Sequence, residues 1–154
     1  MTVLAPVPYG FAVEPTCEEV AAAHRRIATV AGTWSLLHGD ALADLKLCAA
    51  ELAAHSFHEV GRPFTMRLSW TGRRARVEAA DPSPYLPERP TPGTGLYVVA
   101  QIAAAWGAER APAGRVMWFE IAPDPLDSGR RLAARIRAAK PFVQLGAVAT
   151  PRAL

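Results

Sequence analysis

The feature that most constrains the fold is a pair of alternating segments separated by a tight turn. In residues 64–70 and 74–81 apolar and polar side chains alternate, which is the pattern of half-buried β-strands. Residues 71–73, Thr-Gly-Arg, form the turn between them. Strands joined by so short a connection run antiparallel. The sequence therefore predicts a β-hairpin within a mostly antiparallel sheet that is covered by helices on one face.

An acidic residue ends the second strand of this hairpin on its apolar side. Successive side chains of a strand point to opposite faces of the sheet. Asp81 shares the parity of three apolar residues, which are Ala75, Val77 and Ala79. We expect its carboxylate to point toward the helices that cover the sheet, just where the strand ends. This position makes Asp81 a candidate ligand-binding residue.

The central helix of the chain is predicted between an N-cap at Asp40 and an end near Gly61. Its apolar stripe has three- and four-residue steps and consists of Leu42, Leu45, Ala49 and Leu52. Glu51 lies at the edge of this stripe, and His55 and His58 follow at positions that point roughly the same way. Because burying an unpaired carboxylate is costly, Glu51 indicates that this helix forms the wall of a site.

A first helix is predicted to begin after Thr16, a candidate N-cap, with acidic residues Glu18 and Glu19 suited to its positive end. Its apolar stripe consists of Val20, Ala23, Ile27, Ala31 and Trp34. Arg25 and Arg26 lie at the margin of this stripe. They form either a solvated face or a surface that binds a partner protein.

A third helix is predicted after the glycine-rich residues 93–95. Its apolar stripe consists of Leu96, Val99, Ala103 and Trp106. Glycines at a helix N-terminus let backbone N–H groups approach an anion, although a single G-x-G also fits a plain turn into a helix. The many prolines of residues 82–92 make the preceding segment a loop.

Further strands are predicted at residues 9–13, 107–110 and 115–121. The order is then strand, helix, helix, hairpin, helix and two more strands. This order predicts an α+β fold, a two-layer α/β sandwich with a mostly antiparallel sheet and three helices on one face.

Composition and charge fit one compact domain at residues 9–122, after a loose N-terminus at residues 1–8. Hydrophobic residues make up 51% of the chain and charged residues 20%, which is typical of a folded protein rather than a disordered one. The positive net charge of +3 is concentrated in residues 123–154. We expect this segment to be a basic tail that is partly helical and dispensable for folding. The body of the chain gives no reason to expect nucleic-acid binding.

Several protein classes are excluded by what the sequence lacks. No apolar run reaches the ~18 residues that a membrane span requires. Residues 1–11 lack the basic segment and apolar core of a signal peptide. Two cysteines, Cys17 and Cys48, are too few for a disulfide framework. We therefore expect a cytoplasmic protein without a membrane association.

Four segments of the chain, in this order, resemble the sequence boxes of the GHKL (Bergerat-fold) ATPase superfamily, which includes gyrase and histidine kinases. Residues 51–55, Glu-Leu-Ala-Ala-His, resemble its E-L-x-x-N box, and residues 81–87 resemble the D-x-S-P-x-x-P form of its adenine-binding box. Residues 93–99 with 105–107 resemble G-R-G-L-x-L-V…W-G, and residues 114–120 resemble G-K-x-V-W-x-E. Together the boxes look like the small anti-sigma-factor serine/threonine kinases of actinobacterial type.

The resemblance implies a histidine-kinase-like ATPase fold that holds ATP and magnesium between the helices and the sheet. It implies that Asp81 accepts a hydrogen bond from the adenine amino group. The phosphates would be bound by Gly93, Thr94, Gly95 and Leu96 at the start of a helix. Glu51 would be the catalytic base that withdraws a proton from water or from a serine of a partner. His55 stands where the family has the asparagine that binds magnesium.

The resemblance also implies protein partners and a role in the regulation of transcription. The usual partners are a sigma factor and a small antagonist of the STAS (anti-anti-sigma) type, whose serine is phosphorylated. Arg25 and Arg26 lie where an arginine of the family meets that antagonist. A homodimer is a further possible assembly.

The chain departs from the family pattern in ways that leave two other hypotheses open. Magnesium prefers oxygen ligands, and His55 offers a nitrogen. Thr94 replaces an arginine, and the lid at residues 82–92 is short and rich in proline. The second hypothesis is therefore a pseudo-ATPase that has lost Mg-ATP binding and sequesters a partner protein. The third is a metal site on the central helix, formed by Cys48, Glu51, His55 and His58.

Overall fold

The structure, a computed structural model, describes residues 5–123. Its elements in chain order are β1 (Tyr9–Val13), α1 (Cys17–Thr33), α2 (Gly39–Val60), β2 (Phe64–Trp70), β3 (Ala75–Asp81), α3 (Gly95–Ile102), β4 (Ala105–Ala111) and β5 (Gly114–Ile121). Within these residues no helix has both the length and the apolarity to cross a membrane. The predicted basic tail lies outside the described residues, except for Pro123.

The five strands form one sheet in the order β1-β2-β3-β5-β4, and each adjacent pair is antiparallel. The predicted hairpin is confirmed, because β2 and β3 pair from Thr65 opposite Ala80 to Trp70 opposite Ala75. On the other side of β3, strand β5 places Arg115 directly opposite Asp81. The fold is α+β, as predicted, and it is compatible with a two-layer α/β sandwich.

The hydrophobic core lies between the helices and one face of the sheet. From the strands it receives, among others, Phe64, Met66, Leu68, Trp106, Met117 and Phe119. From the helices it receives Val20, Ile27, Leu45, Leu52 and Leu96, among others. Burying one such aliphatic or aromatic side chain contributes about 1.5–3 kcal/mol. Asp81 is 5% exposed and lies on the buried side of β3, so its predicted orientation is confirmed.

The first two helices differ in how their N-termini are capped. Thr16 is the N-cap of α1, and its Oγ1 accepts a hydrogen bond from the Glu19 N–H at 3.2 Å, as predicted. The predicted N-cap of α2 is wrong, since His38 holds that position without a side-chain capping bond. The Ala41 N–H donates to the His38 carbonyl at 3.1 Å, so Asp40 already lies inside the first turn. There its negative charge suits the positive end of the helix.

Helix α3 is shorter than its apolar stripe predicts. The helix ends at Ile102, and Ala103 is extended, with φ −67° and ψ 148°. The Ala104 N–H then donates to the Glu120 carbonyl at 2.9 Å, and Trp106 pairs with Phe119 in the sheet. The prediction that Trp106 continues the helix is wrong. Pairing with β5 still brings Trp106 into the core, but from a strand.

Candidate functional site

A buried arginine organises the end of the sheet where β3 and β5 meet. Arg115 is only 1% exposed. Its Nε donates to Asp81 Oδ1 at 2.9 Å, and its Nη2 donates to Asp81 Oδ2 at 3.1 Å. This is the two-pronged, charge-assisted geometry in which a guanidinium binds a carboxylate most strongly. Arg115 is not among the site residues predicted from the sequence.

The Asp81 carboxylate receives two further donors from the chain. Ser56 Oγ donates to Oδ2 at 2.8 Å, and the backbone N–H of Ser83 donates to Oδ1 at 3.0 Å. Each carboxylate oxygen thus accepts two hydrogen bonds, one from Arg115 and one from a serine. A carboxylate offers about four lone-pair positions in all. The Asp81 carboxylate therefore has its full set of donors from within the chain.

The remaining contacts of Arg115 tie the sheet to α2 and to the loop after β3. Arg115 Nη1 donates to Glu59 Oε1 at 3.0 Å and to the backbone carbonyl of Tyr85 at 2.7 Å. The other Glu59 oxygen, Oε2, lies 2.7 Å from His55 Nε2. We call the five linked residues the Arg115 network. Its members are His55, Ser56, Glu59, Asp81 and Arg115.

His55 is partly buried beside this network, and its burial lowers the pKa of the imidazole below the usual value. The carboxylates of Glu59 and Asp81 oppose this effect, whereas Arg115 adds to it. The lowered pKa favours the uncharged form of the ring at neutral pH. Its Nε2 lies 2.7 Å from Glu59 Oε2, one helical turn away, so the side chain expected at the magnesium position contacts a residue of its own helix.

The N-terminus of α3 lies directly against Glu51. A Cβ atom added to Gly95 would collide with the Glu51 carboxylate, and it would come within 3.4 Å of the Glu51 Cβ. Thr94 caps the helix, since its Oγ1 accepts a hydrogen bond from the Tyr97 N–H at 3.3 Å. A negative charge is favourable at this end of a helix. The structure thus brings together Glu51, Thr94 and Gly95, three residues that the sequence assigns to one site.

Gly114 fixes the approach of β5 to the residues after Asp81. Its φ is +147°, and a Cβ there would lie 2.6 Å from the Cα of Pro82. Only glycine allows the two backbones to come so close. The contact sets Arg115 across from Asp81. A cavity of about 480 Å³ opens at this end of the sheet, and Asp81 and Arg115 form part of its wall.

The metal site predicted on α2 is not found. Cys48 is a fully buried member of the core, and burial raises the pKa of its thiol, so it stays protonated. His58 is exposed, and its ring centroid lies 5.1 Å from that of Phe57. Across residues 5–123, no group of three or more histidine, cysteine or acidic side chains is arranged to hold a metal ion. This finding contradicts the third hypothesis.

The two arginines of α1 are both exposed and line a common groove beside Tyr9, but they make different contacts. The Arg26 guanidinium stacks over the Phe11 ring at 4.0 Å, and its Nε donates to Tyr9 Oη at 3.0 Å, so it is anchored to β1. Arg25 borders a groove of about 540 Å³ between α1 and α2, which Lys46 also lines. Both Arg25 and Lys46 are exposed. Arg25 and Lys46 therefore make the groove between α1 and α2 basic, whereas Arg26 is anchored to β1 by its contacts with Tyr9 and Phe11.

Comparisons with known proteins do not add to this description. No family model matches the chain, and no curated protein matches it in sequence.

Proposed function

We propose that this chain is a regulatory protein-binding module with a GHKL-type fold, related to the anti-sigma-factor serine/threonine kinases, that does not use Mg-ATP. One observation carries the proposal: the Asp81 carboxylate is saturated by donors of the chain itself, two of them from Arg115. In the family pattern this carboxylate recognises adenine. The five-stranded antiparallel sheet with three helices supports the fold.

An adenine ring that entered this site would have to displace the Arg115 guanidinium. Breaking a buried ion pair costs about 3–5 kcal/mol when one partner stays behind unpaired. A tenfold change in affinity corresponds to about 1.4 kcal/mol, so this displacement alone would weaken binding roughly 100- to 1,000-fold or more. Glu59 and the Tyr85 carbonyl also hold the guanidinium in place. Adenine recognition is therefore strongly disfavoured.

The part of the site where the phosphates are expected is occupied as well, by Glu51. The Glu51 carboxylate lies against Gly95 at the N-terminus of α3, where a phosphate would have to bind. A phosphate would meet a negative charge there, and the helix dipole offers only about 0.3–1 kcal/mol in compensation. A magnesium ion could bridge the two charges, but His55 offers a nitrogen, which lies 2.7 Å from Glu59 Oε2, where magnesium prefers oxygen ligands.

The partner-binding surface is best placed at the basic groove between α1 and α2. Arg25 and Lys46 line it with Ala28, Leu42 and Ala43, so it combines positive charge with an apolar floor. Such a groove suits an acidic, partly apolar segment of a partner protein. From the family resemblance, that partner is a sigma factor or an antagonist of the STAS type, and the module acts in the cytoplasm.

A second candidate function is an ATP-dependent protein-serine kinase with Glu51 as the base. One observation favours it: Thr94, Gly95 and Glu51 meet at the N-terminus of α3, which is the arrangement that a base beside a phosphate site requires. In this alternative the Glu51 side chain turns away from Gly95, and Arg115 leaves Asp81 when the nucleotide binds.

Partner binding with and without nucleotide separates the two functions. We suggest measuring, by biolayer interferometry, the binding of purified sigma factors and STAS-type proteins from the organism that encodes the chain. We expect one of them to bind with the same Kd in the absence and presence of Mg-ATP, and no phosphoserine to form on it. Nucleotide-dependent binding, or phosphorylation that Glu51→Gln abolishes, would support the kinase instead.

A further inference from the structure

The cavity at the end of the sheet has its floor on the side opposite the helices. Ala12, Thr65 and Ala80 line it and are cross-strand neighbours on β1, β2 and β3. One sequence neighbour of each belongs to the hydrophobic core, so these three side chains point away from the helices. The floor therefore lies on the other side of the sheet from the side-chain contacts between Asp81 and Arg115.

Small side chains and the adjoining connections give this cavity its shape. Its walls come from residues next to the strand ends: Pro63 precedes β2, Pro82 follows β3, and Ala113 lies in the turn before β5. Adjacent strands are about 4.8 Å apart, so three strands make a floor roughly 10 Å wide. The cavity volume of about 480 Å³ is within the range of small-molecule sites. A floor of two alanines and a threonine is flat enough for a planar ring system.

Arg62 gives this mostly apolar cavity a positive charge. The charged residues that line the cavity are Arg62, Asp81 and Arg115. The last two bind each other through two hydrogen bonds. Arg62 is exposed, and it forms no ion pair with any other residue in the range 5–123. Its guanidinium is thus available to an anion, and the planar partner that matches its geometry best is a carboxylate, which accepts two parallel hydrogen bonds.

We propose that this cavity binds a small planar molecule that carries a carboxylate. The ring system lies on the floor formed by Ala12, Thr65 and Ala80, and the carboxylate pairs with Arg62. The charge of Arg62 complements the anion, while the apolar walls complement the ring. This site is on the opposite side of the sheet from the adenine site that the sequence predicts, so the inference does not depend on the proposed function.

A nuclear magnetic resonance titration of the full-length protein tests the proposal. We suggest adding 2-naphthoate to the ¹⁵N-labelled protein and, separately, its uncharged counterpart 2-naphthamide. The amide signals of Thr65, Ala80 and Gly114 report on the cavity, because these residues line it. We expect saturable shifts of these signals with 2-naphthoate, and at least about tenfold weaker binding of 2-naphthamide, since a charge-assisted hydrogen bond is worth about 1.5–3 kcal/mol.

Three variants make the titration specific. Arg62→Gln should weaken the binding of 2-naphthoate about tenfold or more. Arg73→Gln is the matched control, since Arg73 is an exposed arginine in the turn at the other end of the same hairpin and does not line the cavity; it should leave the Kd unchanged. Ala12→Phe places a ring on the floor from an exposed position and should abolish binding.

Several results would overturn the proposal. The absence of saturable shifts with 2-naphthoate would show that the cavity is not a site for this class of molecule. Shifts centred on Arg25 and Lys46 would show that the anion binds the basic groove instead. Equal affinity for the two ligands, or an unchanged Kd in Arg62→Gln, would refute the role of the carboxylate. Shifts of the cavity signals on concentrating the protein without ligand would show that a second copy of the chain occupies the cavity.

Discussion

Replacing Asp81 by asparagine should destabilise the fold strongly, although the substitution is nearly isosteric. The variant removes the carboxylate that binds Arg115 through two nitrogens, and the arginine remains 1% exposed within the fold. The half-exposed Glu59 at 3.0 Å and the neutral Tyr85 carbonyl at 2.7 Å stay as its partners.

The size of the effect follows from the burial of the pair. Removing one partner of a buried ion pair costs about 3–5 kcal/mol, because the other charge is left without compensation. In a domain of this size 1 kcal/mol shifts Tm by roughly 2–8 °C, so we expect Asp81→Asn to lower Tm on the order of 10 °C. Urea unfolding followed by circular dichroism gives the free energy of unfolding directly.

Two further variants make the measurement specific. Glu78→Gln is the matched control, since Glu78 pairs with Arg76 and Arg67 on a partly exposed face of the sheet, where an ion pair contributes about 0–1 kcal/mol. The double variant Asp81→Asn/Arg115→Met removes both charges and should recover much of the loss. If Asp81→Asn unfolds at the same urea concentration as the parent, Arg115 does not depend on Asp81 and the reasoning fails.

Three other predictions follow from the same contacts. Because burial lowers the pKa of His55 in the folded state, the free energy of unfolding should fall as the pH drops below about 6.5, the pKa of the unfolded state. His55→Asn should flatten this dependence, which urea unfolding between pH 5 and 8 measures. An unchanged pH profile in the variant would contradict the lowered pKa of His55. Gly114→Ala should lower the free energy of unfolding by about 2 kcal/mol or more, since it combines a positive φ with a backbone collision. Gly72→Ala, at φ +98° in open space, should lower it less, as measured by chemical denaturation. Equal losses in the two variants would argue against the close approach of Gly114 to Pro82. Arg25→Glu/Lys46→Glu should abolish partner binding in interferometry without changing Tm, whereas retained binding would place the partner on another surface.

The fold follows from patterns that are local in the sequence. The alternation of residues 64–70 and 74–81, with a three-residue turn, was enough to predict the hairpin and the orientation of Asp81. The Thr16 cap was predictable for the same reason, because its partner Glu19 is only three residues away. The end of α3 was not predictable, since Trp106 fits the helical stripe and the strand equally well, and only the pairing with Phe119 decides.

The site depended on a contact between distant parts of the chain. Arg115 and Asp81 are opposite each other because of the register of β3 and β5, which no local pattern contains. A signal was nevertheless present. Arg115 has the parity of Met117, Phe119 and Ile121, so a cation was placed on the buried side of the sheet. A buried cation requires a counter-charge, and Asp81 is the acidic residue with the matching orientation.

The central claim is that Arg115 holds the carboxylate expected to recognise adenine. A calorimetric titration of the unmodified full-length protein with ATP and magnesium at neutral pH tests this claim most directly. We expect no measurable binding. His55→Asn should not restore it, because Arg115 still holds the Asp81 carboxylate. Arg115→Ala should gain affinity for ATP, provided that circular dichroism confirms its fold. The control variant Arg110→Ala, which removes a contact with the Pro84 carbonyl, should not gain affinity. Tight, magnesium-dependent binding of ATP by the unmodified protein would contradict the claim and favour the kinase with Glu51 as its base.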